Sequence, residues 1–441
     1  MLLLQNYFSN LDKSLRPLIS TKVNYKIFLA CCLLIICESI PWSYRWAGNL
    51  SISQTWNLPR GFFAAVEYGG LWPFGTENLY YLGQIQAFLG VEGASINLGS
   101  GFELQRSLYA FFVKSLWFLH PIPAGITINV TLWMLICFCM QYIIKTFSPS
   151  PTAQAIGGIF VASGQGFLHS VGEISPHILG YGAHYLIFAL ACRLRIWQRT
   201  FVFADHLIVY ATIGLLQLGY DSAWLILPIL LPISFYSIFK ETSAIKTKLF
   251  RLLSLLTVSF IPSLSFSMAT SLLLKKGGVI YFLFQDVNSL LSFLKTYPLV
   301  LVEGILSYGP IILLGYFLAM GLALKQKNYG ILYLCLASFF LFLSCSFLMI
   351  PVSGRGYVTF SFSASILLIA TYGIYSLWDQ HSLTKRAFVI CLLFLYVSFN
   401  NSPLLSSSMG NNWILQGFSV GYINVFQHSN TYRSFECDAF S

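Results

Sequence analysis

Acidic side chains gather between the first apolar segment and the second long one. Glu67, Glu77, Glu92 and Glu103 all lie within residues 43–123. Glu77 opens a segment in which apolar residues recur at helical spacing, so it is predicted to stand in the first turn of an amphipathic surface helix. A carboxylate there suits the positive end of the helix dipole. The same carboxylate can bind a divalent metal or take a proton from an acceptor hydroxyl.

Two arginines are candidates for binding phosphate. Arg106 precedes the short apolar run 107–120, and Arg355 lies between two glycines, where the backbone can approach a ligand closely. The planar guanidinium group matches the oxygens of a phosphate. Other interpretations stay open, because Arg106 can also extend to the membrane surface or pair with Glu103. Arg355 can equally be a solvated turn residue.

Short loops predicted on the outer side supply further candidates. Glu173 and His177 stand four residues apart, and Asp221 lies in the join Gly219–Ser222. Glu173 and Asp221 are candidate ligands for a divalent cation, Mg²⁺ or Mn²⁺, which is the only cofactor that the sequence suggests. His177 is a candidate substrate ligand. A hydrogen-bonded loop pair and ordinary turn chemistry explain the same residues without any ligand.

Two more acids fall inside apolar segments. Glu38 lies near the outer end of the first segment, and Glu303 lies five residues into a later one. An ionisable group at membrane depth is costly and marks a functional candidate. Because both residues stand near the ends of their segments, that cost is reduced and a structural role stays open.

The composition places these residues in a membrane protein. Of the 441 residues, 56% are hydrophobic and 9% are charged, whereas a soluble domain has about a quarter charged. The formal net charge of +10 would suggest nucleic acid in a soluble protein, but most Lys and Arg here fall in loops predicted to face the cytoplasm. No nucleotide-binding glycine pattern or zinc spacing occurs, and the ten Cys form no disulfide framework. We therefore expect no nucleic-acid partner.

The expected fold class is all-α, a polytopic transmembrane helical bundle of about eleven spans in a single domain. The predicted spans, all but the first within 124–400, are 27–42, 124–144, 154–170, 178–192, 206–219, 223–239, 252–274, 298–323, 329–350, 357–377 and 387–400. The run 107–120 is interpreted as a surface or re-entrant helix, because it is short and carries Lys114 in its middle. The distribution of Lys and Arg then places residues 1–26 in the cytoplasm, with 43–123 and the tail 401–441 outside the plasma (inner) membrane.

Three segments carry a resemblance to a known family. They are Glu77-Asn-Leu-Tyr-Tyr-Leu-Gly-Gln-Ile-Gln-Ala, Arg106-Ser-Leu-Tyr-Ala-Phe-Phe-Val-Lys-Ser-Leu and Gly354-Arg-Gly-Tyr357. They resemble, in that order, the acid-bearing first outer loop, the Arg-led helix after it and the late loop with Arg and Tyr of the polytopic GT-C glycosyltransferases. Enzymes of that family use polyprenyl-phosphate-linked sugars.

The resemblance implies an outer active site with an acidic residue and a bound lipid phosphate. Glu77 takes the part of general base or metal ligand, and Arg106 or Arg355, with Tyr357, takes the part of phosphate ligand. The family more often has Asp, or an Asp-Glu pair, at the position of Glu77. Glu67 is therefore kept as a second catalytic candidate.

The expected function is transfer of a sugar from a polyprenyl-phosphate donor to an acceptor outside the cytoplasm. The expected partners are the lipid-linked donor, membrane lipids and a glycan, lipid or protein acceptor. A transporter or flippase of a polar or lipid-linked substrate is the alternative, and it would favour repeated halves and ionisable groups near the bilayer midplane. A many-span polysaccharide polymerase or ligase is a further alternative, and it would favour a large outer loop late in the chain.

Overall fold

The computed structural model describes residues 23–47, 107–116, 118, 121–148, 150–164, 167, 176–196, 202–274, 308–349, 364–380 and 382–400. Within these ranges the chain forms helices and turns, with no strand. The helices are α1 (Tyr25–Ala47), α2 (Ser107–Ser115), α3 (Pro121–Phe147), α4 (Pro151–Ala162), α5 (His177–Leu194), α6 (Phe203–Leu216), α7 (Leu227–Lys240), α8 (Ile245–Leu274), α9 (Tyr308–Gln326), α10 (Tyr329–Met349), α11 (Ala364–Trp378) and α12 (Leu383–Asn400). The helical class predicted from the sequence is confirmed for this part of the chain.

Three helices among the described residues are long and apolar enough to cross a membrane. One is Ala124–Phe147 within α3, and another is α9. The third is Ala223–Lys240. It consists of the last residues of the 3₁₀ helix Asp221–Ile226 and of α7, which follows it directly. Each predicted span overlaps a described helix, while the number of crossings and their orientation stay predictions.

Helix α3 lies at the centre of the packing and contacts α1, α4 and α5. Its Trp133 is fully buried and donates a hydrogen bond from Nε1 to the carbonyl of Val161 at the end of α4, at 2.9 Å. Tyr396 of α12 donates to the neighbouring carbonyl of Phe160, also at 2.9 Å. These bonds satisfy two of the carbonyls that a helix end leaves without an intrahelical partner.

Helix α4 is shorter than the predicted span 154–170. Its 12 residues rise about 18 Å, which is less than the about 30 Å of a hydrocarbon core. It ends at Ser163, which is fully buried among its neighbours. The prediction ran past this point because hydropathy does not detect where the backbone leaves the helix.

Helices α9 and α11 approach each other closely at two glycines. A Cβ added to Gly373 would lie 1.9 Å from the carbonyl oxygen of Gly315. A Cβ added to Gly315 would in turn lie 2.6 Å from the carbonyl oxygen of Ala370. Small residues at such contacts let membrane helices pack backbone to backbone.

Helix α2 is a short element packed against α3. Its 9 residues extend about 14 Å, too short to cross a bilayer, and it ends earlier than the predicted run 107–120. Tyr109 is fully buried and donates a hydrogen bond to Oδ1 of Asn129 in α3, at 3.0 Å. This bond joins α2 to the N-terminal part of α3.

Candidate functional site

Two of the residues predicted to form the site fall in the described part of the chain. These are His177, with its side chain, and Asp221, with its backbone. The other predicted site residues lie outside the described residues; they are Glu67, Glu77, Arg106, Glu173, Arg355 and Tyr357. Their roles therefore stay predictions.

His177 is the first residue of α5 and is almost completely buried. Its Nδ1 shares a hydrogen bond of 2.8 Å with the hydroxyl of Tyr220. The two rings also meet edge to face, with centroids 5.8 Å apart and planes at 74°. A buried histidine with one nitrogen engaged in this way has a fixed ring orientation, which a ligand-binding imidazole requires.

Tyr220 connects His177 to the predicted metal ligand Asp221. It stands directly before the 3₁₀ helix Asp221–Ile226 and is 3% exposed. Its ring lies against Gly180, one turn after His177 in α5, where an added Cβ would be 2.3 Å from the ring. The glycine makes room for the tyrosine, and the tyrosine holds the backbone of Asp221 beside the start of α5.

The start of α2 reaches the same place. A Cβ on Gly219 would lie 2.8 Å from Cδ2 of Leu108 in α2 and 3.3 Å from Cδ2 of Leu179 in α5. Leu108 is two residues after Arg106. The fold therefore brings together the helix that follows Arg106, the start of α5 with His177 and the backbone of Asp221. These three features were singled out separately in the sequence.

No pattern in the sequence assigned a role to Tyr220. It stood within Gly219–Ser222, which was interpreted as a turn, whereas the structure starts a 3₁₀ helix at Asp221. A tyrosine between a glycine and an acid at a predicted membrane surface was the available signal, since Tyr is common at that level. Its pairing with His177, 43 residues earlier in the chain, was not readable from local spacing.

Glu38 forms a second polar contact within the bundle. Its side chain is 4% exposed and accepts a hydrogen bond of 2.6 Å from Oγ of Ser163. Ser163 is the C-cap residue of α4, so the carboxyl group of α1 lies at the end of that short helix. Glu38 is about 20 Å along α1 from Tyr25, and its placement at membrane depth stays a prediction.

The imidazole and phenol of the His177–Tyr220 pair can donate to phosphate oxygens or exchange a proton with a hydroxyl. Among the described residues no three His, Cys, Asp or Glu side chains are grouped to hold a metal ion. The predicted Mg²⁺ or Mn²⁺ site at Glu173 and Asp221 thus stays a prediction. Comparison of the chain with protein-family models, with curated proteins and with solved structures finds no match in any of the three.

Proposed function

We propose that this protein is a membrane glycosyltransferase, which moves a sugar from a polyprenyl-phosphate donor to an acceptor on the extracytoplasmic side. The observation that supports the proposal is the convergence at one join of the start of α2, His177 and the backbone of Asp221. These elements carry or adjoin residues suited to phosphate and to a divalent cation. Three described helices are long and apolar enough to cross a membrane, which suits a lipid-linked donor.

The proposed reaction breaks the bond between the sugar's anomeric carbon and the phosphate oxygen, and forms a bond from that carbon to an acceptor oxygen. Glu77 takes the acceptor proton, with Glu67 as the second candidate for this role. Arg106 and Arg355 stabilise the negative charge on the departing polyprenyl phosphate. His177 and Tyr357 contact the donor, and Glu173 and Asp221 hold the cation.

The experiment is transfer by purified protein in lipid nanodiscs, from a panel of polyprenyl-phosphate-linked hexoses and pentoses to endogenous envelope acceptors. Glu77→Gln keeps the shape and removes the base, so activity is expected to fall by about 10² to 10⁴. Glu92→Gln, in the same outer segment, is the matched control and is expected to keep activity. Full activity in both Glu77→Gln and Glu67→Gln, with normal membrane insertion, would overturn the proposal.

A transporter or flippase is the second candidate function, and Glu38 is the observation that favours it. Its burial at the end of α4, where Ser163 donates to it, is the kind of intramembrane ionisable group that substrate paths contain. The two functions differ in their product. Transfer changes the donor covalently, whereas transport delivers the same molecule across the bilayer, and mass spectrometry of the recovered lipid distinguishes them.

A further inference from the structure

Two arginines and a tyrosine meet where α3 and α5 end. Arg193 is in the last turn of α5, and Arg195 is the C-cap residue of that helix. The guanidinium of Arg193 hydrogen-bonds the hydroxyl of Tyr142 in α3, and Arg195 lies close enough for its charge to act on the same hydroxyl. Helix α5 has 18 residues and rises about 27 Å. The cluster is therefore at the opposite end of α5 from His177 and separate from the candidate site.

The positive charge of the two arginines has no carboxylate partner within the described part of the chain. Neither Arg193 nor Arg195 forms an ion pair with a described acid, whereas Arg251 of α8 pairs with Glu241. The hydroxyl of Tyr142 accepts from Arg193, so its own O–H remains to donate to a ligand. Two guanidinium groups and a hydroxyl donor at one place are complementary to an anion.

The backbone at Arg195 is in a conformation that arginine rarely adopts. Its φ of 52° and ψ of 44° are left-handed, and glycine is the residue that takes this position at a helix end without steric cost. The helix dipole favours a cation such as Arg193 in the last turn, but it does not require an arginine in the strained position after it. Backbone strain of this kind concentrates at functional sites.

The left-handed turn decides which side chains face outward. Arg195 is exposed, while Ile196 after it is 3% exposed and donates its N–H to the carbonyl of Ala191 at 3.3 Å. A glycine at position 195 would permit the same turn. The arginine therefore adds a cation at the surface of the bundle at the expense of stability.

The surroundings of the cluster suit an amphiphilic ligand. Helix α3 is long and apolar enough to cross a membrane over Ala124–Phe147, so a crossing α3 carries Tyr142 to the headgroup level, where Tyr, Lys and Arg are common. Phe147 at the end of α3 is 52% exposed, and Val202 at the start of α6 is 47% exposed. A lipid can cover such apolar side chains while its headgroup meets the arginines, which a soluble anion cannot do.

We propose that Arg193 and Arg195, with the hydroxyl of Tyr142, bind the phosphate of an anionic phospholipid headgroup. The planar guanidinium fork matches two phosphate oxygens, and the phenol donates to a third. The bound lipid connects the ends of α3 and α5. Each Lys or Arg near an anionic membrane surface contributes on the order of fivefold in affinity.

The test uses the purified full chain in a neutral detergent, with phosphatidylglycerol as the probe and zwitterionic phosphatidylcholine as the comparison. Native mass spectrometry counts the lipids that each chain retains, and we expect the unaltered protein to retain phosphatidylglycerol in preference. Arg193→Gln and Arg195→Gly each remove one cation and are expected to lower this preference about fivefold. Equal retention of the two lipids by the unaltered protein would rule the proposal out.

The Arg195→Gly variant separates lipid binding from a structural role of the arginine. Glycine relieves the left-handed strain, so the variant is expected to have a higher Tm in lipid-free detergent while it loses lipid preference. Lys327→Gly is the matched control, because Lys327 follows α9 with a φ of 54° and is also exposed. It is expected to raise Tm and to keep the preference. An equal loss of preference in both variants would show attraction by overall charge and contradict a site at Arg195.

A thermal-shift measurement distinguishes a lipid from a soluble anion. A ligand that binds the folded state raises the Tm, so phosphatidylglycerol is expected to raise the Tm of the unaltered protein. Inorganic phosphate at the same concentration is expected to leave it unchanged. If inorganic phosphate raises the Tm as much as phosphatidylglycerol does, the site binds a free anion and the lipid proposal fails.

Discussion

The hydrogen bond between His177 and Tyr220 makes the most direct prediction about the candidate site. Tyr220→Phe removes the hydroxyl and keeps the ring, so the edge-to-face contact survives and the 2.8 Å bond is lost. His177→Leu removes the imidazole at similar size. The two single variants and the double variant form a double-mutant cycle, which isolates the interaction energy between the two side chains.

The expected coupling energy is about 1 kcal/mol. Interhelical hydrogen bonds in membrane proteins average about 0.6 kcal/mol and reach about 1.7, and intramolecular hydrogen bonds generally contribute about 0.5–1.5 kcal/mol. We expect a coupling energy above the membrane-protein average because the two residues are only 4% and 3% exposed. Water therefore competes little for either group.

Denaturant titration in mixed micelles measures the free energy of unfolding of each variant, provided that the slope of the transition is unchanged. Tyr372→Phe is the control, since its hydroxyl makes only an exposed 3.4 Å contact with Gln326, and we expect no measurable loss. A coupling energy below about 0.2 kcal/mol, far under the interhelical average, would refute the reasoning. The pair would then not hold Asp221 beside α5.

Two further substitutions test the packing and the surface charge. Gly373→Ala places a Cβ against the carbonyl of Gly315 at 1.9 Å, so we expect a destabilisation of about 1–3 kcal/mol and a lower Tm. Gly321→Ala, where a Cβ meets nothing within 4 Å, is the control, and equal Tm values for the two variants would contradict the close approach of α9 and α11. Arg251→Gln breaks a partly exposed ion pair with Glu241, so we expect a loss below about 1 kcal/mol that shrinks in high salt. A larger loss that is insensitive to salt, measured by the same unfolding titration, would show that the pair is not solvent-screened.

For the part of the chain that the structure describes, the sequence was sufficient to predict the helical class and the approximate positions of several helices. The predicted span 124–144 lies within α3, and 387–400 lies within α12, because long apolar runs leave the backbone no other way to satisfy its hydrogen bonds in lipid. The interpretation of 107–120 as a half-length element agrees with the described helix α2, which is too short to cross. In both cases the prediction rests on a local property of the chain.

The contacts between helices were not predictable in the same way. Glu38 and Ser163 are 125 residues apart, and nothing in either apolar segment specifies which faces meet. That choice depends on the shapes of the packed surfaces, such as the space at Gly180 that admits the ring of Tyr220. Hydropathy records only that the residues are apolar. The residue types in the short loops therefore predicted His177 and Asp221 as separate candidates, and they did not predict the tyrosine that joins them.

One face of α3 relates the two ends of the bundle. Asn129, Trp133, Cys137 and Gln141 recur every fourth residue, so they lie along the same side of the helix. Asn129 contacts α2, Trp133 and Cys137 contact α4, and Gln141 contacts α1. From the first to the last of these residues is about 18 Å of rigid helix. The contact with α2 and the contact with α1 are therefore positioned by one element, and a shift of α3 along its axis moves both.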